Sequence, residues 1–118
     1  MEELQEMTLE DFSKLLASRE RRALSRGLTK VEKKLLESVR RARGQDKLIR
    51  THARDMVVLP EMVGAKLGIH NGKEFKRVDI TLNKIGRRLG DYSHCTTRVL
   101  HSGPGVGATR GSKFVPLK

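Results

Sequence analysis

The sequence predicts an α+β fold: a small mixed sheet containing a β-hairpin, a helical N-terminal region packed on it, and an extended Gly-rich C-terminal tail. Three observations predict it. Apolar residues recur at helical spacing between Leu9 and Ala42. Apolar and polar residues then alternate on both sides of Asn71-Gly72. From Asp91 onward, Gly103, Pro104, Gly105, Gly107 and Gly111 interrupt every period. The expected division is a helical extension over 1–28, an α+β core over 29–95 and a tail over 96–118, with one globular domain in all.

The elements follow in chain order. Thr8 and Asp11 read as the hydroxyl cap and first-turn acid of a helix whose Leu9, Phe12, Leu15 and Leu16 share a face. Ser18 is expected to cap a second short helix running through Leu24 and stopped by Gly27. Thr29 and Glu32 have the spacing of a capping box, in which hydroxyl and carboxylate each satisfy the other residue's free backbone N–H. Behind it Val31, Leu35, Val39 and Ala42 line one stripe, and Gly44 supplies the helix stop. Met56-Val57-Val58-Leu59, stopped by Pro60, is too short for a helix and reads as a buried strand or extended segment. Leu67 and Ile69 alternate with polar neighbours, as do Val78 and Ile80, so a hairpin is expected over 66–80. Asn71-Gly72 at its tip suggests a type I′ turn with positive φ at both residues. Thr81 is expected to cap one more short helix carrying Leu82, Ile85 and Leu89, ended by Gly90.

The 118 residues carry a formal net charge of +11, and the sequence pI is about 10.4. A compact domain with that charge repels itself, and a polyphosphate is the usual partner that relieves the repulsion. The charge is uneven. Residues 1–18 sum to −4, residues 19–54 to +9, residues 55–90 to +3 and residues 91–118 to +3. The acidic start is therefore not expected on phosphate, and the stretch after it is. No apolar run reaches the roughly 18 residues of a membrane span. Glu2, Glu3 and Glu6 stand where a signal peptide would be basic. A single cysteine, Cys95, excludes an internal disulfide framework and fits a reducing compartment.

Catalytic and cofactor motifs are not found. Gly111 is followed by Ser112-Lys113, the reverse of a phosphate loop's Lys-Ser/Thr, and Val106 stands where its first Gly should be. Gly105-x-Gly107 continues to Arg110 and makes no dinucleotide fingerprint. His94, Cys95 and His101 are the only local group of metal-ligand types, without a second cysteine. Those histidines read instead as RNA-facing or merely exposed. Cys95 lacks an orienting base, and Asp55, Glu61, Glu74 and Asp79 show no spacing of a catalytic pair.

Four basic clusters remain: Arg19-Glu20-Arg21-Arg22, Arg40-Arg41-Ala42-Arg43, Lys76-Arg77 and Arg87-Arg88. Arginine forks match phosphate geometry. With no Trp, one Tyr and three Phe, aromatic platforms for single strands are not expected. The residues therefore point to folded RNA recognised by shape and backbone contact. The expected contact set begins with Arg40, Arg41 and Arg43 at the third helix, then Lys47, Arg50, His52 and Arg54 after it. The hairpin adds Lys66, His70, Asn71, Gly72, Lys73, Lys76 and Arg77. Arg87 and Arg88 follow, and Arg98, Arg110 and Lys113 lie in the tail. No cofactor, metal ligand or catalytic residue is expected. A DNA-binding chromatin module and a small enzyme are the alternatives. The first should show a recognition helix or dimer logic and the second a convergent polar site, and neither is found.

Val58-Leu59-Pro60-Glu61-Met62-Val63-Gly64 and the stretch from Asn71 to Tyr92 resemble the S-nineteen protein family of the small ribosomal subunit, in its archaeal and eukaryotic form. The family pattern runs Asn71-Gly72-Lys73, Ile80, Ile85-Gly86, Leu89-Gly90-Asp91-Tyr92 without a gap. Gly103 to Thr109 and Phe114 to Lys118 look like the tail of that branch. Cys95 departs from the family's Ser or Thr, which weakens any hydroxyl-dependent contact there. The lack of a long basic N-terminal extension favours an archaeal source. The resemblance implies a structural protein of cytoplasmic ribosomes, bound to small-subunit ribosomal RNA in the 3′ major domain of the head. It also implies a neighbouring head protein, thirteenth in the bacterial scheme, and a tail reaching toward tRNA, the decoding region and large-subunit bridge elements.

Overall fold

Thr8 closes the N-terminus of the first described helix, much as its spacing to Asp11 predicts. The computed structural model describes residues 4, 7–98, 100, 103–114 and 117. Glu2, Glu3 and Glu6 of the acidic start lie outside the described residues, as do Val99, His101, Val115, Pro116 and Lys118 of the tail. In helix α1 (Leu9–Leu15) the Thr8 hydroxyl accepts the Asp11 N–H at 3.3 Å and donates to the Asp11 carboxylate at 2.8 Å. Only Phe12 and Leu16 of the expected stripe are buried, whereas Leu9 and Leu15 are exposed. The helix is just two turns long and Leu16 already has extended backbone, so one face cannot carry four residues.

Helix α2 (Ser18–Ser25) begins at Ser18 itself, and Ala17 takes the cap position without a side-chain bond. Gly27, at φ +86°, ends it as expected. Helix α3 (Lys30–Arg41) carries the full capping box: Thr29 N–H donates to the Glu32 carboxylate at 2.7 Å, and Glu32 N–H to the Thr29 hydroxyl at 3.4 Å. Its buried residues are Leu35, Leu36 and Val39, while Val31 at the first turn stays exposed.

The sheet has three strands, β1 (Leu48–Thr51), β2 (Lys66–His70) and β3 (Phe75–Asp79), in the order β1-β2-β3. β1 runs parallel to β2, and β2 antiparallel to β3, so the sheet is mixed. The hairpin is where the alternation put it, but its turn is not type I′. His70 pairs with Phe75, which leaves a four-residue loop. The Asn71 side-chain oxygen accepts the N–H groups of Lys73 (3.0 Å) and Glu74 (2.8 Å). That side chain turns the loop while Asn71 keeps a negative φ, and only Gly72 is positive, at +101°.

Met56–Leu59 is extended and fully buried. Its backbone pairs with the segment 86–89 through Gly86 N–H to Val58 O (3.0 Å), Val58 N–H to Arg87 O (2.8 Å) and Leu89 N–H to Met56 O (3.0 Å). The helix expected after Thr81 is absent. Two short 3-10 turns, Leu82–Lys84 and Leu89–Tyr92, flank Gly86 at φ +80°, and Thr81 makes no cap bond. A Cβ on Gly86 would stand 2.8 Å from Leu16 Cδ2, so the segment must bend here to let α1 pack.

The core joins Phe12 and Leu16 of α1 to Leu35, Leu36 and Val39 of α3, the Met56–Leu59 run, Met62, Leu67, Ile69, Val78, Ile80 and Leu89. No regular packing reaches the described tail: residues 103–111, Lys113, Phe114 and Leu117 are exposed and Ser112 is only partly covered. A local turn there, absent from the sequence reading, is closed by Gly107 N–H to Ser112 O at 2.9 Å. The radius of gyration, 21.2 Å, well exceeds the roughly 13–14 Å of a compact chain this long.

Arg54 joins the pieces around the sheet. Its guanidinium donates to the carbonyls of His70 (2.6 Å), Gly90 (3.1 Å) and Ser93. Its own carbonyl accepts Gly90 N–H at 2.8 Å. A lysine keeps the charge but not the planar fork. Arg54→Lys should therefore lower unfolding free energy by about 2–3 kcal/mol, as expected when charge-assisted bonds to partly buried carbonyls are lost. Urea denaturation followed by circular dichroism measures this, and a change below about 0.5 kcal/mol would remove Arg54 from this role.

Candidate nucleic-acid interface

Strand alternation sorts the sheet residues onto two faces. Ile49, Leu67, Ile69 and Val78 turn toward the core. The register then places Leu48, Arg50, Lys66, Gly68, His70, Phe75, Arg77 and Asp79 on the opposite face. Arg50, Gly68 and Arg77 form one cross-strand row, and His70 and Phe75 form the next pair. A Cβ on Gly68 would stand 3.5 Å from Arg50 Cγ and 3.6 Å from Leu48, ordinary contact distances, and Gly68 is buried beneath those two side chains.

At the end of this face three rings from three elements meet. The His52 ring, just past β1, is 4.5 Å from that of His70 and 5.2 Å from that of Phe75. His70 and Phe75 are 4.8 Å apart, edge to face. The Arg50 guanidinium lies 5.5 Å from the Phe75 ring centre. The Gly72 N–H donates to His70 Nδ1 at 3.0 Å, which fixes that ring and leaves its proton on Nε2. The sequence reading expected no aromatic platform. A low count of aromatics carried that expectation and left out the histidines; the four-residue loop sets Phe75 opposite His70, where a two-residue turn would set it opposite Gly68.

The expected contact residues divide by what already holds them. Arg40 is forked onto Glu61 at 3.0 and 3.2 Å, and Arg41 meets Glu37 at 3.4 Å. Lys66 is paired with Asp46; its hydrogen bond and charge hold that carboxyl below the usual range. Arg77 lies 3.3 Å from Asp79. Arg88 sits between Glu20 (3.5 Å) and Asp55 (3.7 Å), and Arg54 is spent on backbone carbonyls. Among the described residues no acid is within ion-pair distance of Arg43, Lys47, Arg50, Lys73, Lys76, Arg87, Arg98, Arg110 or Lys113. All nine are exposed.

Arg50 and Arg77 share the open face, and Lys73 stands at the hairpin tip with Asn71 and Gly72. Arg43 and Lys47 line a cleft beside α3 with Glu61 and Lys66. Arg98, Arg110 and Lys113 are strung along the tail. Among the described residues no group of acids, histidines and cysteine converges as a metal site, and no described helix is long and apolar enough to cross a membrane. Cys95 is exposed and unbridged. The arrangement suits an extended polyanion that meets many single cations.

A family model described as ribosomal protein S19 matches residues 22–101, a span that takes in α3, the sheet and both 3-10 turns around Gly86.

With about six phosphate contacts, the logarithm of the RNA association constant should fall against the logarithm of salt with a slope of roughly −4 to −5. Replacing Arg43 and Lys47 together by Gln should flatten it by about 1.5. Arg40→Gln should flatten it less and yet weaken binding, because it leaves the Glu61 carboxylate unpaired beside the RNA. Fluorescence titrations over a salt series give these slopes; a parent protein with no salt dependence contradicts the electrostatic mechanism.

Proposed function

The chain belongs to the ribosomal protein S19 family, a family of the small ribosomal subunit, and from that premise we propose that it is a non-enzymatic structural component that binds small-subunit ribosomal RNA in the subunit head. The observation that carries this reading is that nine cations of the expected contact set are exposed and have no acidic partner among the described residues, on the sheet, the hairpin tip, the bend after it, the α3 cleft and the tail. Such a spread suits a folded RNA whose phosphates approach from several directions. Arginine and lysine neutralise those phosphates and release counterions, and the exposed hairpin loop presents Lys73 to the backbone.

The contact set remains the one read from the sequence, with Arg40, Arg41, Lys66, Arg77 and Arg88 meeting RNA only beside their acidic partners. Arg54 acts through the fold. In this reading a core through about residue 95 holds the RNA fold of the 3′ major domain, and the segment 96–118 threads between RNA and a neighbouring head protein. That neighbour is the thirteenth small-subunit protein of the bacterial scheme, and the tail extends toward tRNA and large-subunit bridge elements on cytoplasmic ribosomes. The exposed apolar residues of the tail, Leu100, Val106, Phe114 and Leu117, support this, since their own domain does not cover them.

The most direct test is co-sedimentation of the protein with small subunits through a high-salt gradient. Co-migration is expected, and recovery only in the free fraction contradicts the proposal. Gly72→Val should reduce incorporation several-fold, because a β-branched residue is strained at φ +101° and the loop carrying Lys73 must shift. Incorporation equal to the parent's would show that the loop geometry does not matter.

The tail gives a second measurement. Residues 103–114 are rich in glycine and bury no apolar side chain, so ordering them costs entropy that only RNA or a partner protein offsets. Backbone NMR order parameters there should lie below about 0.6 in the free protein; values near 0.85, like those of a rigid core, would count against this role.

A further inference from the structure

We propose that the His52–His70–Phe75 cluster, with Arg50 beside it, is a stacking platform for one unpaired nucleobase of the bound RNA. This deepens the RNA-binding reading and rests on it. Phe75 stands on the solvent side of a sheet whose other face is the core, a position where alternation ordinarily puts a polar residue. The protein does not hide it: Phe75 and His70 are half-buried and His52 is exposed. Nor do the rings pack flat on one another. His70 and His52 each meet Phe75 at 70–76°, and the two imidazoles are tilted by 35°. Edge-to-face contacts hold the cluster together, with the Arg50 guanidinium set over the Phe75 ring and His52 the most exposed of the three.

The platform is preorganised. His70 is pinned through Nδ1 by the Gly72 N–H, and its carbonyl by Arg54. Phe75 is fixed opposite His70 by the strand register. Little rotamer entropy is then lost when a flat ligand settles on it. The surrounding charge selects the ligand. Arg50, 5.5 Å from the Phe75 ring centre, can stack and pair with phosphate, and Arg77 and Lys73 offer further cations on the same face and at the adjoining loop. An aromatic platform ringed by cations fits a nucleotide, whose base stacks and whose flanking phosphates need neutralising. Bases inside a duplex are already stacked, so the occupant is a bulged or looped-out base.

The test uses the full-length protein and a transcript of the 3′ major domain of small-subunit ribosomal RNA. Phe75→Leu keeps an apolar residue in the strand but removes the ring. Binding should weaken roughly 5- to 100-fold, the range for loss of one stacked base, with the salt slope unchanged because no phosphate contact is lost. Phe75→Tyr should retain affinity within about twofold. Ultraviolet cross-linking of the parent followed by mass spectrometry should find a nucleotide adduct on Phe75, His52 or His70. Circular dichroism melts check that Phe75→Leu folds; should it not, the adduct position in the parent decides. A parent that does not bind the transcript overturns the RNA reading and the platform with it. A parent that binds, while Phe75→Leu keeps its affinity and adducts fall only elsewhere, overturns the platform alone.

Discussion

One guanidinium draws backbone carbonyls from two segments to a single point beside the sheet. Arg54 donates to the carbonyl of His70, at the end of β2, and to those of Gly90 and Ser93, within and just past the Leu89–Tyr92 turn. A buried carbonyl without a donor costs on the order of 1–3 kcal/mol, so losing the fork weighs heavily in a domain this small, even though the Gly90 carbonyl also accepts the Ser93 N–H at 3.3 Å. The fork also sets distances. It gathers the far end of β2, the Leu89–Tyr92 turn and Ser93 around one point three residues past β1, and a Cβ on Gly90 would come within a tight 3.2 Å of the Arg54 carbonyl. The open face of the sheet takes its shape from that anchor, since His52 lies two residues before Arg54 and His70 supplies one of its acceptors.

Charge and core are balanced against each other. The buried cluster is small and wholly aliphatic but for Phe12. A net charge of +11 works against any compact state the cluster can support. The ion pairs relieve part of the strain, and most are exposed pairs that contribute little to stability. Their value is geometric: Glu61 fixes Arg40 at the end of α3, and Glu20 with Asp55 brackets Arg88. The cations without acidic partners face outward, so the repulsion that weakens the free protein becomes attraction once phosphates are present.

Local signals were legible in the sequence because they depend on neighbours a few residues apart. The Thr29–Glu32 capping box, the helix stop at Gly27 and the hairpin strands all formed as read. The buried run Met56–Leu59 was legible too, by apolar content alone. What failed depended on residues far away in sequence. The helix expected after Thr81 has adequate apolar spacing, but the chain turns at Gly86 with a positive φ, pairs its backbone with the Met56–Leu59 run, and lies against Leu16, some seventy positions earlier. β1 went unseen because Leu48-Ile49-Arg50-Thr51 shows no strong alternation and becomes a strand only through parallel pairing with β2.

The hairpin turn shows how small a misreading can hide a site. A two-residue turn and the four-residue loop differ by two positions of register, which leaves every side chain on the same face. The core is therefore indifferent to the choice, and no burial argument from sequence distinguishes them. The cross-strand partners do change. Only the longer loop sets Phe75 against His70, within reach of His52, and gathers three scattered rings beside Arg50. Asn71 decides the matter by turning its side chain back onto two backbone N–H groups. The shape of the face opposite the core thus follows from one side-chain hydrogen-bonding pattern, while the interior would have accepted either arrangement.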